Sequence, residues 1–134
     1  RTTHVGLEAQ ELCQGLARED IDKLQAIVNS VSCEAGTTLF RCGEPADSLY
    51  FIHEGEVEVL LPMNTGECKR LAMLSPGMSF GEMALLNHRT RSADARTTCR
   101  SSFSQIIFDQ IPEDIRINLV TNLAEQLAQK LALE

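Results

Sequence analysis

Residues 80 to 97 read Phe80-Gly81-Glu82-Met83-Ala84-Leu85-Leu86-Asn87-His88-Arg89-Thr90-Arg91-Ser92-Ala93-Asp94-Ala95-Arg96-Thr97. A Gly-Glu pair opens a short apolar turn, and Arg91 follows nine residues after Glu82, before a strand-like run that begins with Ser-Ala. Amide groups at the start of a helical turn suit an anion, and a guanidinium can donate two hydrogen bonds to phosphate oxygens. A carboxylate accepts hydrogen bonds from hydroxyl groups. The stretch therefore predicts a pocket for a compact ligand with one phosphate and one free hydroxyl.

A second pattern precedes this stretch and consists of a strand, a Gly-acid turn, a further strand and a glycine. It reads Leu39-Phe40-Arg41-Cys42-Gly43-Glu44-Pro45-Ala46-Asp47-Ser48-Leu49-Tyr50-Phe51-Ile52-His53-Glu54-Gly55. Together the two stretches resemble cyclic nucleotide-binding domains, which occur in cyclic-AMP receptor proteins, regulatory subunits of cyclic-nucleotide-dependent kinases and gated channels. Their order and separation match the family, and the resemblance covers roughly residues 20 to 134. Phe40 departs from the family pattern, because a small aliphatic residue is usual at its position.

The hydrophobic periodicity predicts a mainly β domain with flanking helices. Residues 7 to 29 carry apolar residues at three- and four-residue spacing, and we expect Gly15 to separate two short helices there. Short runs bounded by glycine, proline or asparagine predict strands at residues 37–40, 49–53, 57–61, 69–74 and 103–108. Glycines at roughly ten-residue intervals are typical of the corners of a β-barrel or jelly roll. Alternation around Glu58 predicts charged side chains outward and apolar side chains inward.

These patterns and the resemblance predict one domain in three parts. An N-terminal helical segment occupies residues 1–30, and a jelly-roll β-roll, or double-stranded β-helix, occupies residues 31–109. The phosphate-binding cassette lies at residues 80–93, and a C-terminal lid helix occupies residues 110–134. Apolar residues recur every four positions from Ile115 to Leu131, so this helix must cover something. It could pack permanently on the roll, pack on a second copy in a homodimer, or move as a lid with ligand occupancy.

The resemblance implies a set of six ligand-binding residues: Gly81, Glu82, Met83, Ala84, Arg91 and Ser92. The family arginine that matches Arg91 binds the exocyclic oxygens of the cyclic phosphate. The family glutamate that matches Glu82 accepts a hydrogen bond from the ribose 2'-hydroxyl, and in the empty site it could pair with Arg91. Gly81 is expected to allow a close approach that a Cβ would obstruct. Met83 and Ala84 are expected to supply amide donors, with Leu85 and Leu86 anchoring their short helix in the barrel.

The base of the ligand is less well defined by the sequence. Ser92 offers a hydroxyl beside the phosphate, and Arg-Ser-Ala resembles the receptor-protein version of the cassette. Related kinase domains tend to carry alanine at this position for cyclic AMP and threonine for cyclic GMP. A hydroxyl there could also contact a syn guanine, so we expect cyclic AMP and leave cyclic GMP open. Asp94 departs from the usual Thr, Val or Trp, and strand alternation from Arg91 directs its carboxylate away from the pocket.

Composition excludes several other classes of function. A chain of 134 residues suits one domain, and a net charge of -7 argues against a nucleic-acid surface. No apolar run approaches the ~20 residues that span a bilayer, so no membrane contact is expected. Five widely spaced cysteines predict reduced thiols and a cytoplasmic location rather than disulfides or a metal site. No catalytic or cofactor motif stands out in the sequence. His53 is expected at a surface or edge. Residues 43–47 are expected to form a structural corner.

Two functions therefore compete. In the first, the chain is a regulatory module that binds a 3',5'-cyclic nucleotide and relays occupancy through its C-terminal helix to other domains of a longer parent. The absence of an initiator methionine favours such an excised segment. The parent could be an enzyme or a transporter, since the terminal Leu-Ala-Glu-Gln-Leu run is similar to domains of this family appended to glutaminases or anion transporters. In the second, the fold is degenerate and acts as a nucleotide-free interaction or dimerisation domain. A transcription factor of the receptor type would need a helix-turn-helix after residue 134.

Overall fold

Two antiparallel sheets of four strands face each other in a computed structural model, which describes residues 4–87 and 90–132. The strands are β1 (Asn29–Cys33), β2 (Thr38–Phe40), β3 (Ser48–Glu54), β4 (Val57–Pro62), β5 (Cys68–Leu74), β6 (Ser79–Phe80), β7 (Asp94–Thr97) and β8 (Ser101–Ile107). One sheet has the order β1-β8-β3-β6 and the other β2-β7-β4-β5. The predicted mainly β roll with flanking helices is confirmed. His88 and Arg89 of the cassette, and the terminal residues 1–3 and 133–134, lie outside the described residues.

The helices are α1 (Arg18–Gln25), α2 (Ala84–Asn87) and α3 (Glu113–Ala132), with 3-10 turns at Leu7–Ala9, Glu11–Cys13 and Phe108–Gln110. The helical prediction for residues 7–29 is therefore only partly right. Gly15, at φ 82°, does separate two helical pieces, but the first piece is 3-10 in character and β1 already begins at Asn29. The buried Gln10 amide donates to the main-chain carbonyls of Val5 and Ile52, which holds this segment flat against β3.

The five predicted strands lie within two residues of their expected bounds, whereas β1 and β6 were not predicted as strands. β1 is an edge strand whose sequence, Asn-Ser-Val-Ser-Cys, is mostly polar and exposed, so it carries little hydrophobic signal. β6 has only two residues. Both depend on pairing with strands distant in sequence, β8 and β3, and that pairing is invisible to local periodicity.

The core consists of two clusters separated by β3. Leu49 and Phe51 face the helices, whereas Tyr50 and Ile52 face the interior of the roll. This alternation is the period of two expected for a strand, and it leaves β3 buried on both faces. α3 packs on the first cluster, so the cavity described below is bounded by the roll on one side and by a helix on the other.

The apolar stripe of α3 covers the roll along only part of its length. Ile115, Leu119 and Leu123 are buried, Leu127 is half-buried, and Leu131 is 73% exposed. A helix turns about 100° per residue, so a four-residue repeat drifts by roughly 40° at each step. Over four steps the stripe winds away from the roll. The last predicted position of the stripe therefore does not pack, and the helix ends with an exposed leucine.

The structure confirms one expectation about a polar residue and corrects another. Glu58 lies on the outer face of β4 as predicted but is only 7% exposed, because Arg96 and Arg70 cover it at 2.9 and 3.5 Å. His53 is not at an edge, since β3 lies between β8 and β6. Its Nδ1–H donates to the Val5 carbonyl at 2.6 Å, and its Nε2 lies in hydrogen-bond contact with the Ser104 hydroxyl at 2.6 Å. His53 therefore fastens the N-terminal segment to the sheet.

Candidate ligand-binding site

A cavity of about 280 Å³ lies between the roll, the 80–93 stretch and α3. All six predicted site residues line it: Gly81, Glu82, Met83, Ala84, Arg91 and Ser92. The walls combine an arginine and a glutamate with apolar side chains from both sheets, among them Phe40 and Phe80. A concave, mostly apolar space with a few converging polar groups is the usual form of a small-molecule site.

The main chain of Arg91 is fixed by the Gly-acid turn. The Gly43 amide donates to the Arg91 carbonyl at 2.8 Å, and the Arg91 amide donates to the Glu44 carbonyl at 2.8 Å. An isolated bridge between Pro45 and Thr90 extends this pairing. The turn at residues 43–47 is thus the structural corner that was predicted. It also connects the two sequence landmarks, because it holds the arginine of one in place with the backbone of the other.

The Arg91 side chain is buried, with 6% of its surface exposed. Its Nη2 donates to the Ser48 carbonyl at 2.8 Å, and its Nη1 donates to the Gly81 carbonyl at 3.2 Å. The Phe40 ring lies beneath the guanidinium, with Cζ 4.1 Å from the ring centroid. Burial lowers the pKa of Arg91, but the guanidinium of an arginine stays protonated in proteins, so the side chain keeps its positive charge. The Nε–H group is also buried, and it has no hydrogen-bond partner.

Gly81 makes this arrangement possible. Its φ of +80° is in the left-handed region, and a Cβ added there would lie 2.7 Å from Arg91 Nη1 and 3.2 Å from the Ser48 carbonyl oxygen. A larger residue would be strained and would push the guanidinium away. The close approach expected at this glycine thus exists towards the arginine, and its approach to a ligand stays a prediction.

Glu82 carries a second unpaired group in the same cavity. Its Oε2 is buried and has no hydrogen-bond partner. Burial raises the pKa of this carboxyl, while the charges of Lys130 and Arg91 act in the opposite direction. The expected ion pair between Glu82 and Arg91 is not formed, because the Arg91 Nη groups bond to main-chain carbonyls instead.

The helical turn α2 places one leucine inward and one outward. The Leu85 amide donates to the Glu82 carbonyl and the Leu86 amide to the Met83 carbonyl, so the amides of Met83 and Ala84 precede the first bonds of the turn. Leu85 is buried in the core, but Leu86 is 44% exposed, so the prediction that both anchor the turn is wrong for Leu86. Successive residues of a helix point about 100° apart, and only one of the two can face the core.

Ser92 lines the cavity, whereas Asp94 is not among its lining residues. Ser92 is also exposed. Asp94 points away from the cavity, and its Oδ1 accepts a hydrogen bond from the Cys42 amide at 2.7 Å. The orientation predicted for Asp94 is correct, and its carboxylate supports the turn before β3 instead of facing the cavity.

The family model for the cyclic nucleotide-binding domain matches residues 30–111. The chain belongs to this family. Two glutaminases of Bradyrhizobium diazoefficiens are similar to it: glutaminase 1 is 43% identical over 66% of this chain and 14% of its own length, and glutaminase 2 is 35% identical over 97% and 21%. This chain thus matches about a seventh of the length of glutaminase 1 and about a fifth of the length of glutaminase 2.

Solved structures show the same β-roll. The Thermus thermophilus catabolite activator protein superimposes with a TM-score of 0.80 at 30% identity, over 92% of this chain and 59% of that one. The regulatory domain of Toxoplasma gondii PKA, crystallised with cAMP, gives a TM-score of 0.75 at 25% identity over 83% and 43%. The chain is therefore a cyclic nucleotide-binding domain by both sequence and fold. In the part that the structure describes, no helix is long and apolar enough to cross a membrane.

Sequence reasoning missed the part of the site that α3 contributes. Leu123, Gln126, Leu127 and Lys130 line the cavity of this cyclic nucleotide-binding domain. The leucine stripe predicted that α3 packs somewhere, but the sequence assigned no role to the polar residues beside the stripe. Only the direction in which the helix returns across the roll places Gln126 and Lys130 at the cavity. The sequence marked Phe40 as a departure from the family pattern but did not assign it a role in the site.

Proposed function

We propose that this domain binds a 3',5'-cyclic nucleotide in the cavity, with Arg91 on the phosphate and Glu82 on the ribose. The observation that carries the proposal is a pair of unpaired buried groups, the Arg91 Nε–H donor and the Glu82 Oε2 acceptor. A buried polar group without a partner costs about 1–3 kcal/mol, and more when it is charged. A cyclic nucleotide offers what both lack, since its phosphate oxygens accept hydrogen bonds and its 2'-hydroxyl donates one.

The other predicted residues complete the anion end of the proposed site. Ser92 lines the cavity directly after Arg91 in sequence, and the amides of Met83 and Ala84 lie at the open start of α2. Gly81 contributes no side chain, which lets the guanidinium keep its place at the cavity. Together with the Arg91 charge, these donors would balance the single negative charge of a cyclic phosphate. The opposite carboxylate, Glu82, would repel a second phosphate and so favours a cyclic monoester.

Cyclic AMP is the ligand that we propose for this site. The Arg-Ser-Ala sequence resembles receptor-protein cassettes, and the chain is 33% identical over 66% of its length to the Thermus thermophilus cyclic AMP receptor protein. The Toxoplasma gondii regulatory domain with a similar fold was solved with cAMP. The apolar wall that includes Leu74 and Leu127 suits either purine, so the base preference depends on these resemblances rather than on the lining.

Isothermal titration of the domain with cyclic AMP and cyclic GMP tests this proposal. We expect saturable binding of both ligands, with cyclic AMP tighter. A reversed order would retain the binding function and change the ligand to cyclic GMP. An absence of binding for both would refute the proposal and favour the alternative, a nucleotide-free interaction or dimerisation domain.

We propose that α3 relays occupancy, because it forms one wall of the cavity. The helix is tied to the N-terminal segment by Asn122, which donates to the Leu12 and Gln14 carbonyls, and by Gln126, which donates to the Glu11 carbonyl. These contacts are few and partly exposed, and the end of the helix is poorly packed. A ligand that touches α3 would bind the docked arrangement more tightly than a displaced one, and so would shift the balance between the two.

Amide hydrogen exchange measures this relay. At saturating cyclic AMP, protection should rise across residues 113 to 131 well beyond any change in β4, whose buried Val57 belongs to the core cluster on which α3 does not pack. The Val57–Pro62 strand serves as the internal control. Unchanged exchange in α3 would contradict the lid and support a helix that packs permanently on the roll or on a second copy.

The domain is proposed to act as the non-catalytic regulator of a longer parent. The similarity to two glutaminases makes a glutaminase the first parent to test, and a transporter remains the alternative from the terminal sequence. A cytoplasmic location is consistent with the free cysteines at positions 13, 33, 42, 68 and 99. A homodimer through α3 would use its exposed apolar residues, Ile117 and Leu131.

A further inference from the structure

We infer that Phe40 is a positioning residue for Arg91: its ring fixes the plane of the guanidinium, and through it the direction in which the Nε–H group meets the phosphate. The inference rests on the proposed function. It assigns a role in this chain to the residue that departs from the family pattern. It also predicts that Phe40 affects which exocyclic oxygen of the phosphate the domain recognises.

The contact between the two side chains is close and shielded from water. The Arg91 Cζ lies 4.1 Å from the Phe40 ring centroid, well inside the ~6 Å range of a cation–π interaction. Arg91 is 6% exposed, so little water screens the attraction between its charge and the face of the ring. Such contacts are stronger when the cation is desolvated.

The ring supplies a restraint that the hydrogen bonds do not. The carbonyls of Gly81 and Ser48 hold the Nη1 and Nη2 atoms at the edge of the guanidinium. Two edge contacts fix the position of that edge, but they still allow the plane to rock about the line that joins them. A flat ring against the face opposes this rocking. Nε lies on the side of the guanidinium opposite the edge that Nη1 and Nη2 form. Rocking about that edge therefore changes the direction of the Nε–H bond most.

Phe40 is itself held rigidly. It ends β2 and pairs with Ala95 of β7, so the strand that follows Arg91 positions it. Its ring packs against Tyr50 and Phe80, with centroids 6.2 and 5.9 Å away, and these two rings stack on each other at 4.8 Å. The ring under the guanidinium is therefore part of an aromatic cluster inside the roll. An aliphatic side chain at this position would contact Arg91 without presenting a flat, electron-rich face.

The test compares Phe40→Ile with the unaltered domain, using cyclic AMP and its two phosphorothioate diastereomers, in which sulfur replaces one or the other exocyclic oxygen. Isoleucine suits a strand and resembles the aliphatic residues usual at this position in the family, so the variant is expected to fold. We expect Phe40→Ile to weaken cyclic AMP binding about fivefold, a change typical of a lost cation–π contact. The ratio of the affinities for the two diastereomers should fall towards one.

Phe103→Leu is the matched control. Phe103 belongs to the same aromatic cluster, with an edge contact to Phe80 at 5.4 Å, and it is 1% exposed, but its ring is not the one beneath Arg91. This variant should disturb the core and keep the diastereomer ratio. Phe40→Leu repeats the measurement if the isoleucine variant is unstable. An unchanged ratio in a folded Phe40 variant overturns the inference while leaving the proposed function intact, whereas a lack of cyclic nucleotide binding by the unaltered domain refutes both.

Discussion

Replacing Arg91 with alanine is expected to weaken cyclic AMP binding by about 2–5 kcal/mol, the cost of removing one partner from a buried charge pair. Much of that loss comes from a phosphate left without its cation inside the roll. The Ser48 and Gly81 carbonyls, which now accept from the guanidinium, would also lose their donor. Isothermal titration measures the change, and a urea unfolding curve of the ligand-free variant separates weaker binding from loss of fold.

Lysine at position 91 distinguishes geometry from charge. It keeps the positive charge but has one nitrogen, which cannot reach both carbonyls and also contact the phosphate. We therefore expect Arg91→Lys to bind cyclic AMP at least about tenfold more weakly than the unaltered domain.

Arg96→Ala is the charge-matched control for both variants. Arg96 lies on β7, is exposed, and pairs with Glu58 on the outer face of the roll, so its loss changes the net charge equally without touching the cavity. Its effect on affinity should be small. Cyclic AMP binding to Arg91→Ala that is as tight as to the unaltered domain would mean that the cassette has been assigned to the wrong ligand.

The convergence of the predicted anion-binding residues on one cavity was predictable because they are close in sequence. Gly81, Glu82 and Arg91 lie within eleven positions, and a short segment that turns once and enters a strand must keep them near one another. The Gly-acid turn was predictable for the same reason, because its residues are also neighbours in the sequence. What the sequence did not contain is the contact between the two segments, in which Glu44 and Gly43 bond to the backbone of Arg91.

The remaining differences arise from long-range geometry. Glu58 points outward as expected, but the pairing of β4 with β5 and β7 brings two arginines over it. Gln126 and Lys130 reach the cavity because α3 returns across the roll, and no local pattern specifies that path. Leu86 was assigned to packing on apolarity and Leu131 on its four-residue spacing, but the angle between helical positions places both outward. Spacing alone therefore identified the elements and the motif better than it identified which side chains are buried.

The discrimination between ribose and deoxyribose should depend on Glu82. Its Oε2 is buried and unpaired in the described structure, and a 2'-hydroxyl would donate to it, whereas cyclic 2'-deoxy-AMP would leave it unsatisfied. An unpaired buried carboxylate costs about 1–3 kcal/mol, so we expect the deoxy ligand to bind the unaltered domain roughly tenfold more weakly than cyclic AMP. Titration of both ligands into Glu82→Ala should give nearly equal affinities, because the acceptor that distinguishes them is gone.

Glu11→Ala provides the matched control for this comparison, since Glu11 also lines the cavity and its removal changes the charge by the same amount, but its side chain is exposed. That variant should keep the preference for the ribose. Equal affinities of the two ligands for the Glu82→Ala variant would be more informative than a loss of affinity for either ligand. If the role of Glu82 were merely structural, its replacement by alanine would weaken the binding of both ligands by the same factor, and the ratio of their affinities would not change. If the unaltered domain binds cyclic AMP and its 2'-deoxy analogue equally well, Glu82 does not recognise the 2'-hydroxyl, and this prediction is wrong.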